Sequence, residues 1–521
     1  MSSSNILNRA EYLDRLSGCW SGKNIGGTLG APMEGKRDFF DVHFYTQDLS
    51  GKPAPNDDLD LQLIYLLAVE EQGIFHLNER LLAEYWMCYI TGPWNEYGVA
   101  KSNIANGLLP PLSGAFNNEA WKNSNGAWIR SEIWAALFPG DPDEALKFAW
   151  YDACVDHSGE GIYAELFTVA LESAAYVEQN IMELIRIALS KIPENSRTAE
   201  CVRCAVDEFQ KGSSLKTARD AVLARRGQFG HPQWDGYFQA PAHIGFVVLA
   251  LLYGGGDFSK TVCAAVNCGD DTDCTAATAG SVMGILLGRS GIPDEWMAPI
   301  GETIQTIAVK RYRAHIPETL SELVARTAAC RELLQMEHSG LLVRIEDAET
   351  RVNPEWNTIC AGSEKAERIW KMCDGKTLTF DFPWGRLMIS YEEGPVMEPS
   401  ATQRISLRLF SRFHDSVPVR LQWMLPEGWD ISPSREQELV LMAQLQSSSS
   451  FQITSGSFRD SVLAFIPVKI ELSGRKNPWM ITVPFQCRGG CVCGHDDGFP
   501  PEREELIGRI DARRSALQKK G

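Results

Sequence analysis

The chain has 521 residues, with Lys+Arg 50 against Asp+Glu 67 and a net charge of −17. That balance argues against an extended surface for nucleic acid or anionic membrane, because such binding is driven by Lys and Arg displacing counterions. At 44% hydrophobic and 22% charged the composition is globular, and the length exceeds what one core usually serves, so two or more domains are expected. The longest apolar runs, such as 244–253, fall short of the roughly 18 residues of a membrane span. The N-terminal segment Met1 to Arg15 has neither the basic start nor the apolar stretch of a secretory signal, which predicts a cytoplasmic location. The 14 cysteines are mostly scattered through apolar segments, among them Cys19, Cys154 and Cys263, and are expected as reduced thiols.

From Glu11 to about Leu334 apolar residues recur at three- and four-residue spacing between short Gly, Pro, Asn and Asp clusters, which predicts helices. Leu59 to Glu71, Ala145 to Asp156, Ile162 to Val177 and Thr303 to His315 are expected examples. Pro241 opens another, and Gly254-Gly255-Gly256 closes it. Residues 1–339 are thus read as an all-α domain and 340–375 as a connecting segment. Residues 376–486 follow as an all-β domain of short alternating runs at Thr377 to Phe382, Leu387 to Tyr391, Ile405 to Phe410, Pro418 to Met424, Leu439 to Met442, Val462 to Leu472 and Trp479 to Phe485. Turns such as Pro426-Glu427-Gly428 separate them, the rhythm of an immunoglobulin-like antiparallel sandwich. Ser447 to Ser450 is read as a loop. Residues 487–521 are read as a Cys-rich turn and a charged helix from about Glu502 to Lys519.

Two acidic stretches stand apart: Asn56-Asp57-Asp58-Leu59-Asp60, and Asn267-Cys268-Gly269-Asp270-Asp271-Thr272-Asp273. Each opens an apolar helical run, so the carboxylates lie at helix starts. Asn and Asp are favoured caps, so either cluster alone reads most simply as a cap. Two of them in one helical domain, the second running into small residues that permit close packing, favour another role. Like charges about 4 Å apart repel by on the order of 1 kcal/mol in water and about 4 kcal/mol at the effective dielectric of a protein interior. A buried cluster therefore calls for a cation. Oxygen ligands favour Mg²⁺ or Mn²⁺ over Ca²⁺, for which no twelve-residue loop is present.

Between the clusters lie two polar, glycine-containing turns, Asn123 to Arg130 and Asp156 to Gly161. Backbone amides there can cradle phosphate, although such turns are commonly connectors. Glu34 follows Gly30-Ala31-Pro32-Met33 on an expected loop.

Taken in order, these segments resemble the ADP-ribosylglycohydrolase family: a glycine-rich first helix with a Pro-x-Glu-Gly end (Gly18 to Gly35), the Asp57-Asp58 helix start, Asn125-Gly126-Ala127 to Arg130, the Asp156-His157 turn, and Gly269 to Gly288. The resemblance spans roughly residues 12–330. It implies an all-α fold with two divalent cations held by Asn56, Asp57 and Asp58 from one segment and Asp271, Asp273 and Cys274 from the other. Asn56 and Cys274 stand where the family usually has hydroxyl residues, and Cys274 is a soft donor poorly matched to a hard cation. Leu59 replaces a frequent threonine, and Ile133 a frequent proline. The resemblance further implies Glu34 and Asp58 as catalytic groups, and Asn125, Gly126 and His157 along the path of a diphosphate and its ribose. The expected activity is hydrolysis of the glycosidic bond of an ADP-ribosyl substrate by metal-activated water.

Two rivals accompany it. A glycoside hydrolase acting on a furanoside or nucleoside-like sugar keeps the chemistry and changes the substrate. A silent ADP-ribose-binding module is suggested by the substituted Asn56 and Cys274. Cys487, Cys491, Cys493 and His495 are too crowded in one stretch for a typical zinc site. Among the 15 tryptophans, Trp94 and Trp128 lie near the expected site and are candidates to stack on a sugar or adenine.

Overall fold

The computed structural model describes residues 5–225, 238–309, 314–442, 445–456, 458 and 462–488. The expected Cys491, Cys493 and His495 group and the C-terminal helix lie outside the described residues. None of the described helices is long and apolar enough to cross a membrane.

The helical region is built around α1 (Arg9–Gly30), with α2 (Asp57–Gln72), α3 (Glu79–Tyr89), α4 (Asn95–Ala105), α5 (Pro142–Ala153), α6 (Ala240–Gly254) and α7 (Thr272–Leu287) among the helices around it. Pro241 lies in the first turn of α6, and Gly255 ends that helix in the left-handed conformation, as proline and glycine dictate. α1 and α7 form the closest helix pair. Gly18, Gly22, Gly26 and Gly30 recur every fourth residue, and a Cβ on any of them would overlap the backbone carbonyl of Gly284, Gly280, Ala276 or Thr272 respectively. Backbone-to-backbone packing fixes the start of α7 beside the end of α1. Gly22→Ala is accordingly expected to destabilise the protein by about 3 kcal/mol, despite alanine's better helix propensity. Urea unfolding would show this as a lowered midpoint with an unchanged slope.

The expected helix from Thr303 to His315 is not present among the described residues. Thr303 instead bridges to Thr319 and Val309 to Ile90, and the Asp60 carboxylate accepts hydrogen bonds from the amides of Ile307 and Ala308 at 2.6 and 2.5 Å. A buried acid in α2 thus takes the amides that a helix would have used. The helical region also carries one pair of strands, parallel β1 (Asn5–Asn8) and β2 (Val343–Glu346). Buried side chains up to Cys373 join the helical core.

The C-terminal region forms two five-stranded sheets. The first contains β3 (Thr377–Phe382), β4 (Gly385–Tyr391), β6 (Thr402–Ser411), β8 (Asp430–Ser432) and β10 (Gln446–Thr454). The second contains β5 (Val396–Met397), β7 (Val417–Trp423), β9 (Glu436–Leu441), β11 (Leu463–Leu472) and β12 (Trp479–Cys487). Side chains of both sheets meet in one core with Leu407, Leu421, Phe451 and Val483. The serines at 447–450, expected as a loop, belong to β10 and pair with β6 from Ser447↔Leu409 to Ser450↔Ser406. Serine hides the period-two pattern because its exposed and partly covered positions look alike, and only Phe451 and Ile453 mark the buried face.

Candidate active site

The two acidic stretches converge. Asn56 caps α2, its Oδ1 accepting the Asp58 amide at 2.7 Å, so the capping role falls to the amide side chain and leaves the carboxylates for other work. At α7 the cap position is Asp271, whose side chain makes no capping hydrogen bond. Carboxylate oxygens of Asp58 and Asp273 and the thiol of Cys274 lie within 4.8 Å of one another, and so do carboxylate oxygens of Glu34, Asp271 and Asp273. The two groups share Asp273. Asp57 lies on the wall of the same cavity and accepts a hydrogen bond from the Tyr97 hydroxyl at 3.0 Å.

Burial and mutual repulsion set the electrostatics. Asp58 is only 1% exposed, and neither of its carboxylate oxygens receives an N–H or O–H hydrogen bond; one oxygen each of Asp271 and Asp273 is in the same position. Burial, opposed at Asp58 by Lys23 and reinforced at both by neighbouring acids, holds Asp58 and Asp271 well above the usual carboxylate range, and burial with Glu34 pushes Asp273 up to about 7. Glu34, on the chain just past α1, is pushed up to about 7 by partial burial and by Asp57 and Asp58. Burial, then Asp271, raises the Cys274 thiol, which keeps it protonated and a poor partner for a hard cation. Uncompensated oxygens in this number fit divalent cations on oxygen ligands, and the donor set that fits is Asp57, Asp58, Asp271 and Asp273 with Glu34.

The surrounding wall includes residues that the sequence pointed to and others that sequence reasoning passed over. Asn125 lines the cavity, donating to Asp271 Oδ2 at 2.5 Å, while its Oδ1 accepts from the Trp128 indole at 3.0 Å. Trp128 is fully buried and so serves as a prop for Asn125, which corrects the expectation of a stacking platform. Trp94 does line the cavity. The Nδ2 of Asn125 also lies 2.7 Å from Nδ1 of the buried His243 on α6, whose other nitrogen lies 3.4 Å from Asp270. Asp270, at φ +68, pairs with Arg37 at 3.2 Å; His243 and Arg37 hold its carboxyl below the usual range against the upward pull of burial. That pair, absent from the sequence expectation, ties the Glu34 segment to the start of α7, since the Gly35 amide donates to the Asp270 carbonyl.

Glu96, in the first turn of α4, is 7% exposed and lines the cavity together with Gly126. A Cβ at position 126 would collide with Glu96 Oε1, so glycine there lets the carboxyl approach. Burial, opposed by His157, pushes Glu96 up to about 7. The adjacent Trp94-Asn95-Glu96 stretch was the available signal, but a single acid beside a tryptophan has no spacing that marks it. His157 is fully buried one layer behind the cavity. Its Nε2 lies 3.1 Å from Ser124 Oγ and its Nδ1 2.8 Å from Asp156, and Asp156 with Asp152 is held by the buried Arg130 at 2.7 and 2.8 Å.

A helical core that brings two acidic helix starts together beneath a small polar cavity defines a class of hydrolytic, typically metal-dependent proteins. The chain belongs to the ADP-ribosylglycohydrolase family, whose model matches residues 8–332. Among curated proteins none matches. A solved structure described as an ADP-ribosylglycohydrolase-related protein complex is 19% identical, covering 62% of this chain and 99% of its own, with a TM-score of 0.43. The Pseudomonas fluorescens alkylpurine DNA glycosylase AlkC bound to DNA containing an abasic site analogue is 11% identical over 84% of this chain and 99% of its own, with a TM-score of 0.14.

Proposed function

We propose that the protein is a metal-dependent hydrolase of the glycosidic bond of an ADP-ribosyl substrate, working with two divalent cations, Mg²⁺ or Mn²⁺. The observation that carries this reading is the pair of acidic groups sharing Asp273. When bound, the cations supply Lewis-acid stabilisation and lower the pKa of water. Asp57, Asp58, Asp271 and Asp273 hold them, and Asn125 orients Asp271. Glu34, at the open side, takes the proton of the attacking water. Glu96, on the wall of the same cavity with a carboxyl that is protonated up to about pH 7, gives its proton to the leaving atom as the bond to the anomeric carbon breaks. His157, Ser124 and Asp156 hold that wall in place. The domain division proposed is 1–339, 340–375 and 376–486, with the last an immunoglobulin-like sandwich.

A second reading, hydrolysis of a furanoside or nucleoside-like sugar, draws support from the cavity itself. It has a volume of about 110 Å³, and its described lining residues include five carboxylates, Glu34, Asp57, Glu96, Asp271 and Asp273, with no Lys or Arg to meet a diphosphate. Incubation with an ADP-ribosylated peptide and with nitrophenyl furanosides, each with and without Mn²⁺, separates the readings. Mn²⁺-dependent release of ADP-ribose supports the first; turnover of furanosides alone supports the second. Inactivity on both removes the hydrolase assignment.

Glu96→Gln is expected to lower kcat on the better substrate by about 10²-fold to 10⁴-fold with little change in KM. Because the protonated form acts, native activity falls as pH rises through about 7, and the variant loses that alkaline limb. A pH profile of kcat checks both statements.

A further inference from the structure

A side-chain amide offers one acceptor and an NH₂ group with two donors, and half a turn about its last bond exchanges them. At Asn125 every one of these positions is used. Oδ1 accepts from the Trp128 indole at 3.0 Å, and Nδ2 faces Asp271 Oδ2 at 2.5 Å and His243 Nδ1 at 2.7 Å. The indole N–H can only donate, so it fixes the amide oxygen on its own side. An amide nitrogen does not accept, so His243 Nδ1 has to, and the hydrogen of the imidazole then sits on Nε2, 3.4 Å from Asp270 Oδ2. We propose that His243 is a positioning residue for the metal centre: as the Nε2–H tautomer it holds the Asn125 NH₂ group on Asp271 Oδ2 and so reserves Asp271 Oδ1 for a cation. The inference rests on the metal-dependent reading above.

The surroundings hold the imidazole to that task. His243 is fully buried in the first turns of α6, and its ring packs edge-on against Phe246, with centroids 5.5 Å apart. The guanidinium of Arg219 lies 5.7 Å from the same Phe246 ring and donates to the carbonyls of Cys268 at 2.8 Å and Arg37 at 2.9 Å. Arg219 thus staples the segment that carries Asp270 to the one that carries Arg37, and Arg37 pairs with Asp270 at 3.2 Å. The acid beyond Nε2 is thereby fixed in place. The two ring contacts are unequal: 2.7 Å at Nδ1 is a full hydrogen bond, whereas 3.4 Å at Nε2 is a weak one, so the acceptor side carries the role. Asp271 Oδ1 has no N–H or O–H donor among the described residues, as an oxygen reserved for a cation requires. Groups that orient a ligating carboxylate from behind ordinarily decide metal affinity, and a ring needed only to fill the core could as well be phenylalanine.

The test is calorimetric titration of the full chain, stripped by chelator, with Mn²⁺, repeated on three variants that separate the ring nitrogens. His243→Asn keeps an acceptor one bond from Cγ, where Nδ1 stands, and gives up the donor toward Asp270. His243→Gln keeps a donor toward Asp270 and gives up the acceptor, and His243→Phe gives up both. The Gln and Phe variants should weaken at least one Mn²⁺ site by about tenfold or more, while the Asn variant loses less than about threefold. Circular dichroism checks each fold, and should the Phe variant fail to fold, the Asn and Gln pair still decides. Native affinity in the Gln variant overturns the proposal, and so does a loss in the Asn variant as large as in the Gln variant. Histidine-selective ¹⁵N spectra of the metal-free chain, assigned by the resonances that His243→Asn removes, should show Nδ1 bare and Nε2 protonated. A hydrogen on Nδ1 overturns the proposal even where Mn²⁺ binds, whereas a native chain that takes up no Mn²⁺ overturns the metal-dependent reading and this role with it.

Discussion

Asp58→Asn is expected to reduce turnover by about 10³-fold or more, since several kcal/mol of transition-state stabilisation pass through the cations that Asp58 helps to hold. The same substitution has an opposite effect on the metal-free protein. Asp58 is buried beside Asp57, Asp273 and the Cys274 thiol, with both carboxylate oxygens lacking an N–H or O–H donor, and the charge of Lys23 offsets only part of its burial. Replacing it by the neutral amide relieves repulsion and desolvation, a gain of about 1–2 kcal/mol once the raised protonation of the cluster is allowed for. Metal then stabilises the native chain by about 2.7 kcal/mol at a hundredfold excess over Kd, and the variant by much less. Thermal melts should therefore cross: in chelator the variant melts above the native protein, and in Mn²⁺ below it. A variant that melts lower in both conditions would mean that the Asp58 carboxylate stabilises the metal-free fold and does not serve to hold a cation.

Arg130→Met carries the largest expected cost in stability. The guanidinium is fully buried, with Nε on Asp152 at 2.8 Å, Nη2 on Asp156 at 2.7 Å and Nη1 on the Gly126 carbonyl at 2.6 Å. Removing it leaves two buried carboxylates without their cation, at a cost of about 3–5 kcal/mol. It also releases the Gly126 carbonyl, and with it the wall against which Glu96 rests. The check is urea unfolding followed by the helical circular dichroism signal. Removing the carboxylates as well, in Arg130→Met/Asp152→Asn/Asp156→Asn, should recover part of the loss, because the burial of uncompensated charge disappears. No recovery would show that Arg130 acts through packing alone.

What could be read in advance followed from local pattern. The glycine-rich first helix from Gly18 to Gly35 was legible, and the paired acids at 57, 58, 271 and 273 signalled convergence, because each rests on residue types whose physics is strong and short-ranged. The seven strand segments expected in the C-terminal region correspond to observed strands because β-branched and aromatic residues alternate in them. Tertiary partners were not legible. Thr303 to His315 has helical spacing, yet Asp60, more than two hundred positions earlier, takes its amides. The serines of β10 gained their strand from β6, and a lone serine run has no signal of its own. At the site, Glu96 and the His243–Asp270–Arg37 arrangement escaped notice because their neighbours come from distant segments. Asn56, named as a ligand from its place in a motif, also caps α2, its side-chain oxygen accepting the Asp58 amide.

Asp273 is common to both acidic groups, so metal content is the direct test of the account. Elemental analysis of the native chain, equilibrated with Mn²⁺ and freed of excess by dialysis, should find about two ions per chain, and Asp273→Asn should retain less than half of that. An active native enzyme that holds neither manganese nor magnesium, or an Asp273→Asn variant with undiminished metal, would contradict it.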